Sequence, residues 1–173
     1  MASLKVLRRR IRSVTSTRQI TKAMEMVAAA KLRRAQARAL ATRPYAIRLT
    51  GMLENLAAVA REQELPLFAA REVKQTALVL IGSNRGLCGG FNTNLFRAAE
   101  ERLRHAEPGS LALVIVGRKV RDFFRRRNWP VLATFADLGD DASVESARRV
   151  TADLLARFES GAVDKVEILY TRF

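Results

Sequence analysis

Cysteine, histidine and tryptophan each occur once in the 173 residues, as Cys88, His105 and Trp129. One cysteine excludes an internal disulfide framework and suits a reducing compartment. One His and one Cys also leave too few ligands for a structural zinc site. No run of about 18 uncharged apolar residues occurs, which argues against a membrane-spanning helix. Glycine and proline nearly vanish between Leu4 and about Ala60, where only Gly51 and Pro44 stand. Acids are scarcer still at this end. Residues 1–48 hold 13 Lys/Arg and one acid, Glu25, whereas the rest of the chain holds 18 basic and 16 acidic side chains. The net charge of +14 is therefore concentrated in an N-terminal arm. Such asymmetry predicts an acidic partner: nucleic acid, an anionic membrane surface or an acidic protein face. Transit peptides share an Arg-rich, acid-poor composition. Here, however, the helical pattern runs on for about forty residues with no apolar signal core, as mature structure does.

The arm is rich in Ala, Leu, Arg, Lys and Met, all good helix formers. Leu4, Leu7, Ile11 and Val14 make one stripe, and after the polar Thr15–Gln19 the stripe resumes with Ile20, Met24 and Val27. Leu49, Leu53, Leu56 and Ala60 repeat the spacing. The pattern predicts a coiled-coil-type amphipathic helix on the order of 80 Å long. Pro44 removes a backbone donor and is expected to bend or interrupt it near Thr42–Tyr45. The alanines at 28–30, 35, 37, 39 and 41 either admit a close neighbouring backbone or simply favour helix.

Beyond Pro66 the pattern changes. Thr76–Ile81 and Leu111–Val116 are short branched apolar runs, as expected of strands buried on both faces. Val131–Phe135 and Val166–Tyr170 are weaker strands. Helical patterns lie between them, from Asn92 to about Arg104, Arg118 to Arg127 and Ser143 to Phe158. In the last, Ala147, Val150, Leu154, Leu155 and Phe158 form an apolar face with Ser143 as N-cap. Alternating strands and helices imply a parallel sheet. The fold class is α/β: a long N-terminal helix over 1–65, then a small Rossmann-like three-layer domain over 66–173.

The loop from Gly82 to Asn92 follows the first strand and opens a helix, where α/β folds place phosphate-binding loops. It lacks the GxxxxGK[ST] pattern, and glycines at 82, 86, 89 and 90 do not make GxGxxG. The glycines are better read as supplying positive φ angles and close helix–strand packing. Cys88 is expected to be a small, partly buried structural residue and His105 a surface residue. Asp140-Asp141 read as turn and helix-start charges, and Trp129-Pro130 as a turn into a strand. No catalytic constellation emerges, and no cofactor or metal is expected.

Two segments carry a resemblance. The run from Ile20 to Arg33, ITKAMEMVAAAKLR, resembles the N-terminal helix signature of the F-type ATP synthase gamma subunit. Arg43-Pro44-Tyr45 fits the same family, as does Gly86-Leu87-Cys88-Gly89-Gly90-Phe91-Asn92 after the first strand. The resemblance implies a non-catalytic rotor shaft. Its helix would pair with a C-terminal helix inside a ring of alpha and beta subunits, with the α/β domain against the epsilon subunit and the c-ring. Ion flow would turn the shaft and drive the beta sites through successive nucleotide affinities. Met24 matches the position facing the acidic lever loop of beta. Lys22, Lys31, Arg33 and Arg34 would belong to the basic surface meeting that loop, and the segment around Cys88 would lie close by. The implied location is the cytoplasmic side of a bacterial cell membrane, reached only through the c-ring. The family's chain continues past the position of Phe173 through another strand and the long C-terminal helix, so a truncated form is expected. The alternative is a basic nucleic-acid-binding α/β protein.

Overall fold

The computed structural model describes residues 3–59, 66–68, 71–139 and 143–172. Ala60, Asp140-Asp141 and Phe173, named above, lie outside them. The chain divides into two compact units, Met1–Arg61 and Glu62–Phe173.

The first unit is one helix, α1 (Leu4–Val59), 56 residues long. At about 1.5 Å per residue it extends about 84 Å. Ser3 starts it: its carbonyl accepts from Val6 N at 2.8 Å and its Oγ from Lys5 N at 3.4 Å. The expected interruption at Pro44 does not occur, because the helix runs through that residue. Pro44 has no N–H to offer the Leu40 carbonyl. That group lies on an exposed turn, where water is an available partner. Two residues earlier the Thr42 hydroxyl donates to the Arg38 and Ala39 carbonyls, both at 3.2 Å. Thr17, Thr21 and Thr50 bond back one turn in the same way, so the polar interruption of the stripe leaves the backbone helical. The stripe residues Leu4, Leu7, Ile11, Val14, Ile20, Met24 and Val27 are all exposed.

The second unit opens on a 3-10 turn, Pro66–Phe68. Then follow β1 (Thr76–Ile81), α2 (Phe91–Arg104), β2 (Leu111–Val116), α3 (Arg118–Phe124), β3 (Val131–Phe135), α4 (Val144–Glu159) and β4 (Lys165–Tyr170). The sheet is parallel throughout, in the order β3-β2-β1-β4. Helices α2 and α3 cover one face, where Leu78, Leu80, Leu113 and Ile115 meet Leu95, Ala99, Leu103, Val120 and Phe124. Helix α4 lies on the other face, through Leu154 packed near Ala77, Val79, Val114 and Val163. The change of face follows from connection handedness: β1→β2→β3 steps one way along the sheet, and β3→β4 returns the other way.

Helix boundaries differ from the sequence expectation by small amounts. Helix α3 ends at Phe124 rather than Arg127, with Arg125 as C-cap; Arg127 instead binds Glu100 Oε1 at 2.9 Å and lies over the Phe123 ring. Ser143 does cap α4, accepting from Ser146 N at 3.0 Å. The apolar face expected on α4 is covered only in part. None of its residues is buried, and Leu155 is exposed.

Candidate functional site

Helix α1 presents five of the six candidate contact residues. Met24 is 66% exposed, and Lys22, Lys31, Arg33 and Arg34 are exposed as well. At about 100° per residue, Lys22 and Arg33 share one side, Arg34 lies about a third of a turn away, and Lys31 with Met24 lies about opposite. The positive charge thus surrounds the rod instead of forming one face. Lys22 is partly offset within the helix, because its Nζ sits 3.1 Å from Glu25 Oε2, the lone acid of residues 1–48. Both groups are exposed, so this pair contributes about 0.5 kcal/mol or less. The first turn carries no acid and includes Lys5, so charge there opposes the helix macrodipole. The cation of the first turn does not stabilise the start of the helix.

Cys88, the sixth candidate, belongs to the second unit. It is exposed, correcting the expectation of a partly buried residue. Its Sγ accepts from Asn92 Nδ2 at 3.2 Å. The same amide donates to Ser83 Oγ at 2.8 Å, and Asn92 Oδ1 accepts from Ser83 N at 3.2 Å. This brace folds the loop back on the start of α2 and pushes its tip outward. Leu87, at the tip, has φ +59° and is fully exposed. A non-glycine residue in the left-handed region and an unburied leucine side chain are both costly. Neither contributes to the stability of the isolated unit.

The start of the loop is closed by the core. A Cβ placed at Gly82 would collide with Val120 Cγ2 and meet Leu95 Cδ2 at 3.1 Å. Core side chains therefore occupy the space at the end of β1. Gly117 reinforces this closure: its φ is +108°, and an added Cβ would lie 2.6 Å from the Gly82 carbonyl oxygen. Asn84 ties the loop sideways, donating to the Gly139 carbonyl and accepting from Arg118 N at 3.1 Å. Sequence reading missed this asparagine, which stands two residues from both Gly82 and Gly86 and belongs to no motif. His105 is exposed, with Nδ1 2.7 Å from the Glu101 carbonyl of the preceding turn. Among the described residues no helix is long and apolar enough to cross a membrane.

A long, solvent-facing basic helix and a parallel four-stranded α/β unit place the chain in the α/β class. A family model described as ATP synthase matches residues 3–173. The chain belongs to the ATP synthase gamma-chain family. It is 50% identical over 173 residues to the ATP synthase gamma chain of Moorella thermoacetica, covering 100% of this chain and 61% of that one. The gamma chain of Thermosynechococcus vestitus is 46% identical, with 100% and 56% covered. That of Heliobacterium modesticaldum is 44% identical, with 100% and 59% covered. The chain thus spans about three-fifths of the length of these relatives. Among solved structures, the central stalk and c-ring of the Tetrahymena thermophila mitochondrial ATP synthase matches with a TM-score of 0.68. That match has 26% identity and covers 89% of this chain and 66% of the other.

Proposed function

We propose that this chain works as the central-stalk rotor subunit of an F-type ATP synthase, coupling proton flow through the membrane sector to ATP synthesis in an alpha/beta ring. It performs no chemistry itself. The observation that carries the reading is α1: an unbroken 56-residue helix whose cations surround it and outnumber acids thirteen to one over residues 1–48. A shaft that meets several stator positions in turn needs charge around its circumference. It also needs contacts weak enough to break each turn, and exposed ion pairs at roughly 0–1 kcal/mol meet that requirement.

On this reading Lys22, Met24, Lys31, Arg33 and Arg34 face the acidic lever loop of beta, and the loop bearing Cys88 lies close to it. The epsilon subunit and the c-ring contact the α/β unit. The chain is peripheral, on the cytoplasmic side of a bacterial cell membrane, and binds no nucleic acid. The test is co-purification with alpha and beta subunits, followed by ATP-driven proton pumping. Replacing Lys31, Arg33 and Arg34 together by Glu is expected to weaken assembly or pumping. Full pumping by that variant, or no association of the parent chain with the ring, overturns the proposal.

A further inference from the structure

We infer that the exposed face of α3 is a docking surface for an acidic polypeptide segment. The helix buries Val120 and Phe124, while Arg118 and Lys119 in its first turn and Arg125 and Arg126 just past its end are exposed and Arg121 is half-buried. At about 100° per residue, Arg118 and Asp122 lie about opposite those two anchors, with Lys119 beside them. Asp122 is the face's lone acid, and Arg121 already takes it through Nε and Nη2 at 3.0 and 2.8 Å. Among the described residues, Arg118, Lys119, Arg125 and Arg126 form no ion pair. Lys119 and Arg125 lie near enough to help hold the Asp122 carboxyl below its usual range, after the Arg121 hydrogen bond. Arg127 stands apart, since it is bound to Glu100 and stacked on Phe123.

Stability of the unit does not explain the cations that open the helix. Arg118 and Lys119 in the first turn oppose the macrodipole, whereas Arg121 and Arg125 at its other end favour it. The face itself already holds a carboxylate, because Arg121 Nε and Nη2 both donate to Asp122 Oδ1, a charge-assisted pairing that guanidinium groups favour. A nucleic-acid strand fits less well. Seven residues of helix extend about 10 Å, room for roughly three phosphates at about 3.4 Å each. The helix offers a lipid surface no apolar side chain of its own, since Val120 and Phe124 are buried and Phe123 is stacked on Phe96 at 4.0 Å. None of these residues is among those assigned to the shaft contact.

The test is NMR of the ¹⁵N-labelled full chain titrated with a glutamate-rich decapeptide at low salt. Saturable shifts of the amides from Arg118 to Arg126 are expected. The triple variant R118Q/R125Q/R126Q should weaken that site by about tenfold or more while the shifts in α1 persist. Its fold is checked by unchanged peaks for Val120 and Phe124. Shifts confined to α1, shifts on α3 that survive the triple substitution, or stronger binding of an equally charged oligonucleotide at these amides would each overturn the inference.

Discussion

Glu167 on β4 accepts two hydrogen bonds from the Arg102 guanidinium on α2, at 2.9 Å to Oε2 and 3.1 Å to Oε1. Lys165 Nζ lies 2.8 Å from Oε1. Among the described strands β4 lies at one end of the sheet, and this fork ties it to the helix layer. The Arg102 hydrogen bond first, then that of Lys165, lowers the Glu167 carboxyl from 4.5 to about 2. A carboxyl depressed on folding stabilises above its unfolded value, and that stability is lost as pH falls through the folded one. Glu167→Gln is expected to cost about 1 kcal/mol at neutral pH, because both partners keep access to water. The difference between variant and parent should shrink between pH 4.5 and about 2. Urea unfolding followed by Trp129 fluorescence reads it, since that ring packs against the main core. A pH-independent difference would refute the assignment.

Glycine is required where β1 ends. Gly82→Ala drives a methyl group into Val120 and Leu95, an overpacking expected to cost about 1–3 kcal/mol. Gly117→Ala should cost more. There the obstacle is the Gly82 backbone oxygen, which cannot rotate away, and φ is +108°. Thermal unfolding of the two variants gives the order, and a Gly117→Ala protein as stable as its parent would contradict it.

Much of this architecture was legible in the sequence, for identifiable physical reasons. Strands β1 and β2 are buried on both faces, so their continuous apolar runs gave boundaries that match at both ends. Ser143 was recognisable because an N-cap needs a hydroxyl directly before an apolar-periodic segment. The interruption allowed for at Pro44 does not occur: a proline's local cost is visible in sequence, while the helix propensity of the long flanks is spread over many residues. Cys88 misled for a different reason. A thiol in a glycine-rich loop looks partly buried, but the Ser83–Asn92 brace that turns it outward joins residues nine apart. The basic face of α3 was overlooked because helix and cation run read as one solvated stretch until Val120 and Phe124 fixed which side faces in. The candidate residues on α1 came from a family resemblance, and the structure adds their exposure and their spread around the rod.

Cys88 provides a direct probe of the loop. With its side chain exposed, the folded chain should titrate one thiol with Ellman's reagent without denaturant. Because Asn92 braces the loop at Ser83 as well as at the thiol, Cys88→Ser should leave the melting temperature within about 2 °C, as a surface substitution does. A thiol that reacts only in denaturant would place Cys88 in the interior.

Pro44→Ala tests how α1 holds together. The substitution supplies the missing N–H to the Leu40 carbonyl and removes the ring that crowds the preceding turn. Proline in a helix interior is about 3 kcal/mol less favourable than alanine, and the neighbouring side chains offer no compensating burial, since Leu40, Tyr45 and Ile47 are exposed. Far-UV circular dichroism should therefore show equal or greater helicity. Amide exchange should slow across Leu40 to Arg48, where the present helix has one backbone bond too few. Lower helicity would mean that Pro44 directs the local path of the rod. Its removal would then alter the shape presented to any surrounding ring. Faster exchange with unchanged helicity would mean that the Thr42 hydroxyl bonds to Arg38 and Ala39, not the ladder, fix this turn.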